Sequence, residues 1–162
     1  MLKHLIFVLF LSIGLRAGAQ QVKIVTFDKM EALIKGANDT TYVVNFWASW
    51  CKPCVHELPN FGKIDSMYRG KKVKVILVSL DFVKEVHTRL EPFLKQNNIL
   101  STVWLLNDPD YNSWIDKVDS TWGGSIPATL IFNNKLNLKQ FNEKELNLEE
   151  LGNLINSIDN KN

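Results

Sequence analysis

Six residues, Tyr42-Val43-Val44-Asn45-Phe46-Trp47, run through Ala48-Ser49-Trp50 into Cys51-Lys52-Pro53-Cys54, which holds both cysteines of the chain. The first segment is rich in β-branched and aromatic residues, the pattern of a buried strand. The segment after the cysteines predicts a helix reaching Tyr68, with Leu58, Phe61, Ile64 and Met67 or Tyr68 on its apolar face. Both thiols therefore fall at a strand-to-helix joint, one turn apart at the helix start. A pair with two intervening residues closes a minimal ring, suited to forming and breaking a disulfide. A stapling bridge gains most from a long loop. An exported chain with one structural disulfide is the competing reading.

Strands and helices alternate along the remainder. Val22 to Phe27 reads as a short strand, with Asp28 as cap of a helix through Lys35 and a turn at Gly36 to Thr40. Val73 to Leu80 is almost continuously apolar, as a central parallel strand buried on both faces requires. A helix is expected from about Val83 to Asn97, a strand over Thr102–Leu106, and a shorter helix ending near Val118. Gly123-Gly124 breaks the chain before Ile126-Pro127. Thr129–Phe132 and Leu136–Phe141 are expected to form a hairpin across Asn133-Asn134. Asn147 followed three residues later by Glu150 announces a final helix whose buried face carries Leu151, Leu154, Ile155 and Ile158. With no repeats, low-complexity stretches or linker, the pattern is one α/β domain with a mixed sheet.

The amino terminus carries Lys3 and His4, an apolar run from Leu5 to Leu11, and small residues at Ala17-Gly18-Ala19. That arrangement predicts a secretory signal peptide over residues 1–19, with an uncleaved membrane anchor as the alternative. The domain then comprises residues 20–162, and the protein is expected outside the cytoplasm, in the periplasm or on the outer face of the envelope. No cysteine follows the cleavage site to carry a lipid. Lys3 and Arg16 belong to the leader, so of the 19 basic residues 17 remain against 17 acidic ones. A neutral chain without a basic stripe argues against nucleic acid and is compatible with a monomer.

Disulfide exchange proceeds through a thiolate, so the attacking thiol needs a lowered pKa. Cys51 is the expected nucleophile, because helix N–H groups and the helix dipole stabilise a negative sulfur there. Cys54, one turn further in, is suited to resolving the mixed disulfide. Lys52 either favours the thiolate or is simply a solvated charge, while Pro53 stiffens the first turn. Glu57 shares a helical face with Cys54 and could accept the proton Cys54 gives up; an exposed helix glutamate is the alternative. His56 faces elsewhere, and Pro59 is expected to kink the helix. A cis Ile126-Pro127 bond would present Ile126 in extended form to an incoming chain, although X–Pro bonds are usually trans.

Phe46-Trp47-Ala48-Ser49-Trp50-Cys51-Lys52-Pro53-Cys54, then Glu57-Leu58-Pro59 and Ile126-Pro127-Ala128-Thr129, resemble the thioredoxin superfamily, and within it the exported TlpA/ResA-like thiol–disulfide oxidoreductases. The resemblance covers roughly Val22 to Ile158. It implies a thioredoxin-like fold: a mixed central sheet flanked by helices, with Thr102–Val118 as a strand–helix insertion before a cis proline at Pro127. It further implies Cys51 as nucleophile, Cys54 as resolving thiol, and substrate contacts at Trp50, Pro53, Ile126 and Pro127. It implies no cofactor and no metal. Exported thiol or disulfide proteins would be substrates, with cytochrome c maturation as one setting and a membrane electron donor to recharge the pair. Asn45 stands where ordinary thioredoxins carry a buried aspartate, which shifts any proton relay to Glu57. Reduction is the favoured direction. Oxidation or isomerisation on the same fold, a thiol peroxidase, a metallochaperone and a non-catalytic binding module are the alternatives.

Overall fold

The computed structural model describes residues 22–159, and in it Val43, Val44, Asn45, Phe46 and Trp47 are completely buried. A strand closed off on both faces must sit inside a sheet with helices above and below. That strand, β2 (Thr41–Trp47), pairs in parallel with β3 (Val73–Ser79) and antiparallel with β5 (Ala128–Asn133). β4 (Thr102–Leu106) lies parallel between β3 and the short edge strand β1 (Lys23–Val25), and β6 (Leu138–Asn142) closes the other edge against β5. The six-stranded order β1-β4-β3-β2-β5-β6 is the expected mixed sheet, with the strand of the expected insertion built into its interior. The leader expected over residues 1–19 lies outside the described residues.

Alternation along the strands divides the interior into two layers. Val43, Trp47, Val75, Leu77 and Leu105 face a layer that includes Leu58, Phe61 and Ile64 of α2 (Lys52–Met67) and Leu151 and Ile155 of α5 (Leu148–Asp159). Val44, Phe46, Ile76, Val78 and Leu130 face the opposite layer, against Phe27 and Met30 of α1 (Phe27–Lys35) and Val118 closing the insertion. Four tryptophan and phenylalanine rings knit this second layer. Trp114 lies 5.6 Å from Phe27 and 5.7 Å from Trp122, which is itself 4.7 Å from Phe46 between ring centres. Offset and tilted aromatic pairs at such spacings add to the stabilisation from burial alone.

Several boundaries differ from expectation for local reasons. Helix α1 starts two residues earlier, with Thr26 at its cap position and Asp28 inside its first turn, where a carboxylate still complements the helix dipole. Tyr68, not Met67, completes the buried face of α2. Helix α2 continues through Pro59 to Met67. The helix expected at 83–97 is divided into a 3-10 turn at Val83–Glu85, a wide π-type turn at Val86–Leu90 and α3 (Glu91–Gln96). Pro92 accounts for the division, since it supplies no N–H to the turn before it. In the insertion, a 3-10 turn at Tyr111–Ser113 precedes the single turn α4 (Ile115–Val118). The hairpin uses a four-residue connection, and its left-handed residue is Asn137 (φ 51°) where Asn133-Asn134 had been expected.

The last helix follows its signal closely. The Asn147 side chain accepts from the Glu150 N–H at 2.9 Å, and Glu150 reciprocates to the Asn147 N–H at 2.9 Å. Leu151, Ile155 and Ile158 are fully buried and Leu154 partly so. Trp114, fully buried and touching four other rings, is the single largest commitment of the second layer. Trp114→Ala is expected to cost about 3–5 kcal/mol of stability, read as a lowered urea midpoint.

Candidate active site

Cys51 and Cys54 form a disulfide with Cα atoms 5.3 Å apart, at the amino end of α2. Cys51 occupies the cap position, and its Sγ accepts from the Cys54 N–H at 3.3 Å. A helix amino end thus already points a donor at the sulfur that must carry negative charge after reduction. Pro53 sits in the first turn, where it removes no helical hydrogen bond. Cys51 retains 7 % exposure whereas Cys54 has none, so an incoming sulfur can reach only the former. Trp50 stands beside the pair and is half exposed, and Lys52 is exposed.

The distant proline comes to the same place. The Ile126–Pro127 bond is cis, and the Ile126 carbonyl oxygen lies 3.8 Å from Cys51 Sγ. The turn that delivers it is held by Glu143, whose carboxylate accepts from the Gly123 N–H at 2.9 Å and the Ser125 N–H at 2.8 Å. Those backbone donors, Gly123 first, hold the Glu143 carboxyl below its ordinary value. Gly124 adopts φ 91°, a left-handed conformation that favours glycine.

Glu57 is fully buried, which settles the choice between a buried group and an exposed helix carboxylate. Its Oε1 accepts from Asn45 Nδ2 at 2.7 Å and its Oε2 from the Leu146 N–H at 2.8 Å. Asn45 Nδ2 also donates to Thr129 Oγ1 at 3.1 Å. Burial pushes the Glu57 pKa up to about 7, with the two hydrogen bonds opposing the shift. A carboxyl poised near neutrality, three residues after the inner cysteine, is chemically able to take and return a proton. His56, in contrast, is exposed and engages Glu145.

Sequence reasoning overlooked one anchor of the redox loop. Asp81 is buried, and it accepts from Ser49 N–H at 2.9 Å, Ser49 Oγ at 2.6 Å and Ser79 Oγ at 2.7 Å. The Asp81 N–H donates to Ser79 Oγ at 3.1 Å, completing a side-chain turn at the end of β3. Ser49 lies two residues before Cys51, so this carboxylate pins the loop entering the redox pair. The available signal was positional: Ser49 and Asp81 both follow the carboxyl ends of adjacent parallel strands, where α/β folds place their sites. Among the described residues, no three His, Cys, Asp or Glu side chains stand together as a metal ion would require.

Burial of Glu57 makes stability depend on pH. Its folded pKa, about 7, exceeds the ordinary 4.5, so the folded protein holds the proton more tightly than the unfolded chain. The contribution is fully present below about pH 4.5 and is lost as pH rises through about 7. Its full size is on the order of 3 kcal/mol. Urea unfolding of the oxidised protein across this window is expected to show that loss, and Glu57→Gln is expected to flatten it.

Residues 18–141 match the AhpC/TSA family. The chain is 26% identical over 116 residues to thiol-disulfide oxidoreductase ResA of Oceanobacillus iheyensis, an overlap of 72% of this chain and 56% of that protein. It is 33% identical over 57 residues to sporulation thiol-disulfide oxidoreductase A of Bacillus subtilis, covering 35% of this chain and 34% of that one. The chain thus spans about half or less of the length of these relatives. A thioredoxin-related protein from Neisseria meningitidis serogroup B superposes with TM-score 0.66 at 22% identity, over 78% of this chain and 90% of that one. StoA from Bacillus subtilis does so with TM-score 0.58 at 23% identity, over 74% and 85%. These likenesses establish that the fold is thioredoxin-like.

Proposed function

Because this chain belongs to the AhpC/TSA family, we propose that its site works as a thiol–disulfide oxidoreductase, reducing disulfides of exported proteins. The observation that carries the reading is the Cys51–Cys54 disulfide at a helix amino end, its accessible sulfur facing the cis Ile126–Pro127 bond. The relatives named thiol-disulfide oxidoreductases support it. Export is part of this proposal, read from the leader-like residues 1–19, and the protein would then work in the periplasm or on the outer face of the envelope. Maturation of c-type cytochromes is one process that needs such a reductant, and a membrane electron donor would restore the dithiol.

In the reducing direction the Cys51 thiolate attacks one sulfur of the substrate disulfide. A mixed disulfide forms while the other substrate sulfur leaves as a thiolate and takes up a proton. Cys54 then loses its proton to Glu57 and attacks the Cys51 sulfur. The second substrate thiol is released, Cys51 and Cys54 are left oxidised, and two electrons have passed to the substrate. Trp50, Pro53, Ile126 and Pro127 border the attacked sulfur and would contact the substrate there, with Ile126 offering its backbone to an extended chain. Both cysteines belong to one motif, so a thiol peroxidase would have to use the same pair, and peroxide consumption distinguishes it.

The reduction potential of the Cys51–Cys54 pair tests the direction, followed through Trp50 and Trp47 fluorescence. Thioredoxin, a reductant, lies near about −270 mV and the oxidant DsbA near about −120 mV. A value near the former is expected; one near the latter makes the protein an oxidase or isomerase. Absence of any reversible two-electron transition would leave a structural disulfide. For the relay, Glu57→Gln is expected to slow resolution of the mixed disulfide at least about tenfold with the fold intact. Single-turnover rates equal to wild type would remove Glu57 from the mechanism.

A further inference from the structure

The segment 143–147, between β6 and α5, touches both walls of the redox cleft while forming neither helix nor strand. Register pairs end at Thr129 with Asn142, so Glu143 leaves β6 level with the start of β5, where Pro127 stands. Further along, Glu145 engages His56, the Leu146 N–H donates to Glu57, and the Leu146 carbonyl accepts from Asn60 Nδ2 at 3.2 Å. His56, Glu57 and Asn60 all belong to α2, the helix that begins at the redox pair. The Leu146 side chain is buried in the layer that packs on that helix.

Glu143 faces the other wall. Its two oxygens take separate backbone donors, Oε2 the Gly123 N–H and Oε1 the Ser125 N–H, so the carboxylate is committed to the turn. Hydrogen bonds to an ionised acceptor are roughly twice as strong as neutral ones. The Ser125 carbonyl in turn accepts from the indole N–H of buried Trp122 at 2.9 Å. Ser125 is thereby held through both its N–H and its C=O, immediately before Ile126, whose carbonyl oxygen lies 3.8 Å from Cys51 Sγ. Gly123 leaves room for the carboxylate, since a Cβ there would stand 3.3 Å from Glu143 Oε1 and 3.5 Å from Oε2.

We propose that Glu143 is a positioning residue: it clamps the Ile126–Pro127 turn to the segment that also holds α2, and so fixes the opening where an extended substrate lays its backbone. A substrate strand pairs best with a backbone that is already in place. Without the clamp the turn samples other arrangements, and apparent affinity falls in proportion to the time spent away from the competent one. Glu143 takes no part in the exchange of sulfurs at Cys51. Its loss therefore falls on KM for chain-like substrates more than on the chemistry. The inference rests on the reading of Cys51 and Cys54 as a pair that reduces protein disulfides, and adds the group that holds the docking edge for their substrate.

The test compares a synthetic peptide carrying an internal disulfide within an extended stretch against hydroxyethyl disulfide, which has no backbone to pair. Glu143→Gln keeps the outline of the side chain but turns an amide NH2 towards one of the two backbone donors. In this variant the ratio of kcat/KM for the peptide to that for hydroxyethyl disulfide is expected to fall at least about tenfold below wild type, chiefly through the peptide KM. Amide exchange at Gly123 or Ser125 is expected to quicken with it. Gly123→Ala, which crowds the carboxylate from the opposite side, is expected to lower the ratio in the same sense. A ratio in Glu143→Gln equal to that of wild type overturns the clamp, since shape without two acceptors then suffices, and leaves the reductase reading standing. Equal losses with both substrates also overturn it and move Glu143 to the redox pair or to the fold, which circular dichroism separates. Wild-type protein that reduces neither substrate overturns the reductase reading and the clamp with it.

Discussion

Glu57 has no solvent to support a charge, so its two oxygens draw on N–H groups from separate parts of the chain. Through Asn45 it is joined to β2 and onward to Thr129 of β5; through the Leu146 N–H it holds the segment that enters α5. The redox helix is thereby tied to both neighbours that fix where its amino end points. A buried polar network of this kind stabilises only when its members are matched, which makes the position of α2 a discrete choice. Disulfide chemistry at Cys51 depends on that choice, because the sulfur must meet both the Cys54 N–H and the cis-proline turn.

The site as a whole is assembled from strand ends. Cys51 follows β2, Asp81 follows β3, Tyr111 follows β4, and Pro127 immediately precedes β5. Asp81 is itself a support, and the other three are each held by a carboxylate or a ring. Asp81 pins the loop before Cys51, Glu143 pins the turn before Pro127, and Trp114 and Trp122 brace the insertion. Loops carry the function while the sheet sets their separation, the usual division of labour in parallel α/β folds.

Much of this was legible in the amino-acid order. β2, β3 and β5 announce themselves as apolar runs because both of their faces are buried, and α5 announces itself through the reciprocal Asn147–Glu150 cap. The cysteine pair and the following apolar periodicity fix the start of α2. The details that escaped depend on partners far along the chain. Asp81 looks like any polar residue after a strand until Ser49 is placed against it, 32 residues away. The burial of Glu57 depends on Leu146, and no local pattern connects the two. The division of the 83–97 helix, by contrast, was readable from Pro92, which a purely periodic reading passes over. The hairpin was displaced because two asparagines in its connection, Asn134 and Asn137, compete for the left-handed position, and Asn137 occupies it.

The partners of Glu57 differ in one respect. Leu146 can only donate, whereas the Thr129 hydroxyl can turn to donate or accept, and the Asn45 amide has nearly the same outline when its oxygen and nitrogen are exchanged. As arranged, Asn45 Nδ2 serves the ionised Glu57 and its Oδ1 is left without a hydrogen bond. Turned over, the amide would set its oxygen towards a protonated Glu57 and the Thr129 hydroxyl, at the loss of the contact its nitrogen makes with the Ala128 carbonyl at 3.5 Å. The amide can thus follow the proton, giving up that one contact. A charge can come and go beneath the cysteines while every heavy atom but two keeps its place.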